Sequence, residues 1–161
     1  MPCVPAELVA VGPQDWALWR ALRLEALQDT PIGYVRTSAE SVQLAEHDWR
    51  AWLSRPGGFW LLRGEGGPVA MAAAWEEGDR AWFGAVYVQP QARGGDLLAR
   101  LVQAAADWAR AHGHVLLALE VHEDNGRAQA AYRRLGFSET GARAAYPLDP
   151  SRDELEMVRA L

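Results

Sequence analysis

The hydrophobic period of the chain changes abruptly near residue 95. Residues 81–88 have the pattern of a strand, whereas the apolar residues after them recur at helical spacing in one wide stripe: Leu97, Leu98, Leu101, Val102, Ala105, Trp108 and Ala109. Pro90 and the pair Gly94 and Gly95 mark the connection between the two periods. Gly113 stands where a helix commonly ends. The chain therefore passes from a strand directly into a helix, which predicts a sheet with helices packed on it.

The remaining segments extend this pattern in both directions. A Gly-rich turn between residues 62 and 69 predicts a hairpin, and the strand at 81–88 continues it as an antiparallel meander. Strands are predicted at 7–11, 59–62, 69–75, 81–88, 115–121, from 137 onward and at 154–161, helices at 13–29, 41–53, 97–109 and 127–135, and a loop at 31–39. The predicted class is α+β: a mixed, mostly antiparallel sheet of about seven strands flanked by about four helices. The order is strand, two helices, three strands, helix, strand, helix and two strands.

Length and composition fit a single domain that spans residues 1–161. The hydrophobic fraction of 50% is enough for one full core in a chain of 161 residues. The formal net charge of -5 disfavours nucleic acid and anionic membranes as partners. The eight tryptophans fit either a large core or the face of a homodimer.

Cysteine, histidine and the N-terminal residues bear on metals and location. The single Cys3 excludes a disulfide framework, and four scattered histidines form no helix-spaced ligand pair, so no metal is expected. No apolar run approaches the roughly 18 residues of a membrane span, and the N-terminal residues lack the basic start and apolar core of a signal peptide. We therefore expect a cytoplasmic protein with no membrane partner.

The turn between the strand and the helix has a composition that suits an anion: Arg93, Gly94, Gly95, Asp96, Leu97 and Leu98. The first turn of a helix leaves amide N–H groups unpaired and carries partial positive charge, so a glycine-rich approach to it favours phosphate. The alternative is a tight connection that uses glycine only for backbone freedom. The sequence matches neither a Walker loop nor a Rossmann fingerprint.

Two motifs resemble a known family. The first is Val88-x-Pro90-x-x-Arg93-Gly94, followed by an apolar helix that ends in Asp107-Trp108-Ala109, and the second is Asn125-x-x-Ala128-x-x-x-Tyr132-x-x-Leu135-Gly136-Phe137. In this order, with a Leu- and Val-rich strand between them, they resemble the GNAT superfamily of acyl-CoA N-acyltransferases over residues 81–142. The segments 19–27 and 156–159 are similar to a bacterial branch of that family.

The resemblance implies that acetyl-CoA is the co-substrate. Its pyrophosphate would meet the backbone amides of residues 93–98, and the acetyl-CoA would lie in an opening between strands 81–88 and 115–121. A backbone amide near Val88 would polarise the carbonyl. The implied cofactor-binding residues are Val86, Val88, Arg93, Gly94, Gly95, Asp96, Leu97, Leu98, Asn125, Arg127 and Tyr132.

Asp96 and Leu98 depart from the family's turn, which has small residues at these positions. Asp96 could point outward and stabilise the helix N-terminus by ~0.3–1 kcal/mol, leaving the amides available to phosphate. Alternatively, the turn is degenerate and the chain is a non-catalytic acyl-CoA-binding or interaction domain.

Glu120 is the one carboxylate in the buried strand at 115–121. With a period of two, Leu116, Ala118 and Glu120 share one face of that strand. A carboxyl in apolar company tends to have a raised pKa, which suits a base near neutral pH. A solvated or Arg-paired Glu is the alternative from the residues alone, and the resemblance favours a catalytic base.

Tyr132 lies on the predicted short helix, and the resemblance implies that its hydroxyl acts as the general acid toward the coenzyme A sulfur. The alternative is an ordinary core tyrosine. Asn125 is expected to cap this helix and, by resemblance, to contact the pantetheine arm.

The expected reaction is N-acetylation of a small-molecule or peptide primary amine by direct attack in a ternary complex, with Glu120 and Tyr132 as catalytic residues. Transfer of a longer acyl group is the alternative within the family. The acceptor is expected beside the first two helices and a loop at 143–152. Candidate contacts are Trp16, Tyr34, Trp75, Glu76, Tyr87, His122 and Tyr146.

Overall fold

The structure is a computed structural model that describes residues 5–161. Its strands are β1 (Glu7–Ala10), β2 (Gly58–Gly64), β3 (Gly67–Glu77), β4 (Arg80–Val88), β5 (Leu116–His122), β6 (Ser138–Tyr146) and β7 (Asp149–Ala160). They form one sheet in the order β1-β2-β3-β4-β5-β7-β6. The predicted α+β class and strand number are confirmed. Cys3 and most of the N-terminal segment used in the signal-peptide argument lie outside the described residues.

Strands β4 and β5 are the one parallel pair in this sheet, and they stay together only briefly. Their ladder consists of Ala81 opposite Leu117 and Trp82 opposite Ala118. Beyond it, β4 bulges against β3, and Ala85 adopts a positive φ of 52°, unusual for a residue with a side chain. The two strands therefore diverge into a wedge toward their C-terminal ends, which is the opening that the resemblance implied.

The helices are α1 (Trp16–Asp29), α2 (Ser38–Val42), α3 (Glu46–Leu53), α4 (Leu97–Ala111) and α5 (Gly126–Arg134). Helices α1 and α3 share one hydrophobic cluster with one face of the sheet, α2 contacts α1, and α4 and α5 share another cluster with the opposite face. None of the helices between residues 5 and 161 combines the length and the apolar composition that a membrane span requires. The sheet thus has helices on both faces, and the wedge between β4 and β5 lies between these two helical layers.

The helix predicted at 41–53 is in fact two helices, so the structure has five rather than four among the described residues. Thr37 caps α2 in a capping box with Glu40. A second start follows at Ala45, whose amide donates to the Asp48 carboxylate at 2.8 Å. These two sets of capping bonds divide the predicted helix into α2 and α3. Because α2 begins at Ser38, helix also extends into the loop predicted at 31–39.

The loop predicted at 143–152 is also wrong, because most of it belongs to β6 and β7. Arg143 lies opposite Leu155, and Ala145 lies opposite Asp153. Strand β6 is at the sheet edge and exposed along most of its length, so it carries no apolar alternation that a sequence could reveal.

Candidate active site

The turn before α4 offers open backbone at a helix N-terminus. Gly94 has a φ of 82°, which favours glycine, and a Cβ added to Gly95 would meet no atom within 4 Å. Leu97 is buried and Leu98 packs partly against the same core, so their bulk turns inward. Asp96 occupies the N-cap position of α4. The turn can therefore present amides to an anion, with the side chain of Leu98 packed partly against the core.

Arg93 connects this turn to α1. Its Nε donates to the Val88 carbonyl at 2.9 Å, and its Nη2 pairs with the Asp29 carboxylate at the end of α1. The hydrogen bond from Arg93, with a second one from Thr30, lowers the pKa of Asp29. Arg127 of α5 reaches the Thr30 hydroxyl at 3.4 Å. The Arg93 side chain thus fixes the turn, and the backbone amides of the turn remain the groups suited to phosphate.

Helix α5 brings Asn125 and Tyr132 to the same side of the sheet. The Asn125 side chain accepts a hydrogen bond from the Ala128 amide at 3.3 Å, so the predicted capping role is confirmed. Tyr132 is buried, with its ring in edge contact with Phe83 at 6.5 Å and Phe137 at 5.7 Å between centroids. Burial raises the pKa of Tyr132, so its hydroxyl stays protonated across the neutral range.

Glu120 lies on β5 and lines a cavity on the α1–α3 side of the sheet. The side chains of Leu117, Leu119 and Val121 join the core on the opposite side, as the period of two predicted. Glu120 itself is exposed, so the expectation that it sits in apolar surroundings is wrong. The buried carboxyl of this region is Glu154 of β7, which lines the same cavity.

Glu120 and Glu154 form a hydrogen-bonded carboxyl pair. Burial, followed by the hydrogen bond and the charge of Glu120, raises the pKa of Glu154 to about 7. One proton shared between two carboxyls relieves their repulsion, and the second ionisation is postponed to near neutral pH. The pair can therefore gain or lose a proton in the range where an amine acceptor must be deprotonated.

Glu154→Gln is expected to flatten the pH dependence of stability. A raised pKa in the folded state means that the contribution of Glu154 to stability is complete below about pH 4.5 and is lost as the pH rises through about 7. That loss is at most about 3 kcal/mol of unfolding free energy. Urea unfolding at about pH 5 and about pH 8 measures it. A variant with the same pH slope as the wild type would contradict the assignment, and Glu65→Gln, in the exposed β2–β3 turn, is the control.

The cavity has a volume of about 740 Å³. Its walls come from α1, α2 and α3 with the segments that follow them, and from β2, β3, β4, β5 and β7. They include Arg23, Tyr34, Trp52, Trp75, Glu76 and Glu120. Phe83, Gly84 and Ala85 bring the diverging part of β4 into the wall. The cavity therefore adjoins the wedge on the side opposite α4.

Tyrosine side chains near this cavity connect the segment after α1 to β4 and β6. The Tyr34 hydroxyl donates to the Val86 carbonyl at 2.7 Å, and the Tyr146 hydroxyl donates to the Tyr34 carbonyl at 2.6 Å. His122 packs edge-on against Tyr146, with 4.6 Å between ring centroids. Three acceptor-side candidates thus form one aromatic group.

Of the other four acceptor-side candidates, two line the cavity and two do not. Trp75 and Glu76 line the cavity together with Tyr34. Trp16 and Tyr87 do not belong to its lining. The Tyr87 hydroxyl bonds instead to Glu25 of α1 at 3.0 Å, and Trp16 lies under the guanidinium of Arg50, 5.9 Å from its ring centroid. These two aromatics support the helices rather than the cavity.

Comparison with known proteins identifies the family. The sequence model described as "Acetyltransferase (GNAT) family" matches residues 18–137, which is most of the chain. The chain belongs to the GNAT acetyltransferase family. The matched range contains the turn before α4, Glu120 and Tyr132, whereas Glu154 lies beyond it.

Two curated proteins are similar to this GNAT chain. Mycothiol acetyltransferase of Beutenbergia cavernae is 30% identical over 131 residues, which cover 80% of this chain and 43% of that protein. IAA acetyltransferase of Azospirillum brasilense is 34% identical over 101 residues, 61% of this chain and 66% of that protein. The chain thus spans between 43% and 66% of the length of these relatives.

A solved structure shows the same fold. It is a putative acetyltransferase from Salmonella typhimurium, determined with its cofactor acetyl-CoA. The TM-score is 0.75 at 19% identity, covering 98% of this chain and 94% of that chain.

Proposed function

We propose that this GNAT protein transfers the acetyl group of acetyl-CoA to a primary amine by direct attack in a ternary complex. The observation that carries the proposal is the wedge between β4 and β5. On one side it adjoins the open turn at the N-terminus of α4, and on the other it adjoins the cavity with the Glu120–Glu154 pair. An acyl donor and an amine could meet there from opposite sides of the sheet. A cytoplasmic location is part of the proposal.

The residues on the α4 side fit the donor. The amides of residues 93–98 would hold its pyrophosphate, because Gly94 and Gly95 leave the approach to the helix N-terminus open. Val86 and Val88 lie on the part of β4 beyond its ladder with β5, and Asn125, Arg127 and Tyr132 lie on or before α5. Acetyl-CoA supplies the acetyl group as a thioester, which an amine attacks and from which a thiolate departs.

Glu120 takes the proton that the amine must lose, either directly or through one water. Its exposure toward the cavity gives an acceptor access to the carboxylate. Glu154 lines the same cavity, and burial together with the Glu120 carboxyl raises its pKa to about 7. Near neutral pH, Glu154 therefore changes from a proton donor to a second negative charge in the neighbourhood of Glu120. Glu154 is therefore proposed as a positioning residue that sequence patterns did not reveal.

Tyr132 supplies the proton that the departing thiolate gains. Its raised pKa keeps the hydroxyl protonated at neutral pH, which a general acid requires. The balance is one proton to Glu120 from the amine and one from Tyr132 to the thiolate, with solvent restoring both groups.

Tyr132→Phe is expected to lower kcat by about 100-fold while the Kd for acetyl-CoA changes little. The ring still fills its place between Phe83 and Phe137, so the fold should hold. Steady-state kinetics and titration with acetyl-CoA measure the two quantities. Tyr87→Phe is a matched control, because its hydroxyl bonds to Glu25 on the other face of the sheet. An unchanged kcat in Tyr132→Phe would remove this residue from the mechanism.

The non-catalytic alternative rests on Asp96, a carboxylate at the N-cap of the phosphate turn. Thermal unfolding with acetyl-CoA, CoA and longer acyl-CoAs separates the possibilities. A ligand at a hundred times its Kd stabilises the fold by about 2.7 kcal/mol. Stabilisation without thiol release in the presence of amines would favour a binding domain, and no stabilisation by any of these ligands would contradict both.

A further inference from the structure

Arg23 of α1 is a buried cation in the wall of the cavity. Its exposed fraction is 8%. Its guanidinium carbon lies 4.1 Å from the centroid of the Tyr34 ring and 5.2 Å from that of Trp52. Both aromatic residues also line the cavity. The guanidinium is thus held in a fixed orientation by two ring faces, with cation–π contacts supplying attraction but no hydrogen bond.

One nitrogen of this group has no acceptor. Nη1 of Arg23 is buried, and no atom of residues 5–161 accepts a hydrogen bond from it. Burial, and to a smaller extent the charge of Arg36, lowers the pKa of Arg23 to about 10. A buried donor without an acceptor is costly, and a buried cation without an anion more so. The cost is relieved when an anion enters the cavity.

The positive and negative side chains of the cavity come from different parts of the fold. Arg23 lies within α1, and Arg36 and Arg55, which also line the cavity, lie in the segments that follow α1 and α3. The carboxylates Glu76, Glu77, Glu120 and Glu154 come from strands, and Asp48 of α3 is the exception. An occupant that complements this wall carries both signs of charge.

We propose that Arg23 binds a carboxylate of the acyl acceptor, so that the acceptor is a zwitterionic, amino-acid-like amine with its amino group at Glu120. The inference rests on the proposed function and names the substrate class of the same site. The planar guanidinium suits a carboxylate, which can accept from Nη1 while the rings of Tyr34 and Trp52 hold the plane in place. The volume of about 740 Å³ admits a side chain of considerable size.

The test uses the wild-type protein with sets of three matched acceptors: each of the common L-amino acids, its carboxamide, and the amine that lacks the carboxyl group. Acetylation is followed by thiol release and by mass spectrometry of the product. For the preferred amino acid, loss of the carboxylate is expected to lower kcat/KM by about 10- to 100-fold. Equal or better rates with the uncharged or cationic members would overturn the inference while leaving the proposed function intact.

Two variants assign the effect to Arg23. Arg23→Gln should raise KM for the amino acid and bring its kcat/KM close to that of the carboxamide, and Arg23→Lys should restore part of the preference. Arg110→Gln, an exposed residue of α4, is the control. A purely structural role would lower the unfolding temperature and leave the ratio between amino acid and carboxamide unchanged, which would overturn the assignment. If Arg23→Gln does not fold, the ratio of kcat/KM between amino acid and carboxamide in the wild-type protein decides whether the site prefers a carboxylate.

Failure of the two proposals can be told apart. Stabilisation by acetyl-CoA with no acetylation of any member of these acceptor sets would contradict both the transferase and its substrate class. Acetylation that ignores the carboxylate contradicts only the substrate class.

Discussion

Glu120→Gln is expected to lower kcat for amine acetylation by about 100- to 1,000-fold, the range of a lost general base. The amide has nearly the same shape as the carboxylate but cannot take a proton. Because Glu120 is exposed toward the cavity, the unfolding temperature and the affinity for acetyl-CoA should stay close to wild type. Steady-state kinetics at saturating acetyl-CoA give kcat, and thermal unfolding with and without acetyl-CoA verifies the fold and the donor site.

The pH profile adds a second readout. The wild-type kcat is expected to rise as the pH passes through about 7, because Glu154 then loses its proton and the added negative charge in the cavity favours removal of a proton from the amine. Glu120→Gln should abolish this rise, and Glu65→Gln should leave it in place. A Glu120→Gln enzyme with the wild-type rate and pH profile would exclude Glu120 as the base, whatever the fate of the fold.

Trp19→Ala should cause the largest loss of stability among the substitutions considered. Trp19 of α1 has an exposed fraction of 0% and makes edge contacts with Trp52 and Phe59, each 5.6 Å between centroids. Removing a buried tryptophan costs about 3–5 kcal/mol, which at about 2–4 °C per kcal/mol lowers the unfolding temperature by roughly 6–20 °C. Thermal unfolding measures this directly.

The same substitution should also affect the acceptor. Trp52 and Phe59 line the cavity, so a void behind them loosens its wall and should raise KM for the amine more than KM for acetyl-CoA. Trp108→Ala is the matched control, because Trp108 of α4 is partly exposed and stacks on His112. It should lose less stability and leave the acceptor KM unchanged. Equal losses from the two substitutions would contradict the central place given to Trp19.

The sequence predicted the fold where its hydrophobic period was strong. The stripe at residues 97–109 corresponds to α4, and Gly113, with a φ of 84°, follows the end of that helix. The sequence did not predict the β6–β7 hairpin, because its strands are exposed there. Strand β6 and the start of β7 carry little apolar alternation. The sequence predicts one helix at 41–53 in place of α2 and α3, because capping bonds rather than a change of hydrophobic period separate the two helices.

The site divides in a similar way. Glu120 stood out because a single carboxylate interrupts an apolar strand, and Asn125 because an Asn before a short helix suits an N-cap. Glu154 and Arg23 did not stand out, since a Glu in the polar start of a strand and an Arg in an amphipathic helix are ordinary on solvated faces. Their burial depends on tertiary contacts: the pairing of β5 with β7, and the rings of Tyr34 and Trp52 against α1.

The most direct test of acetyl transfer is amine-dependent release of coenzyme A thiol by the wild-type protein, with the acetylated amine identified by mass spectrometry. The account predicts thiol release that saturates in both acetyl-CoA and a carboxylate-bearing amine, with one acetylated product per thiol. Protein that is stabilised by acetyl-CoA yet releases no thiol above background with any amine of the matched acceptor sets would contradict it.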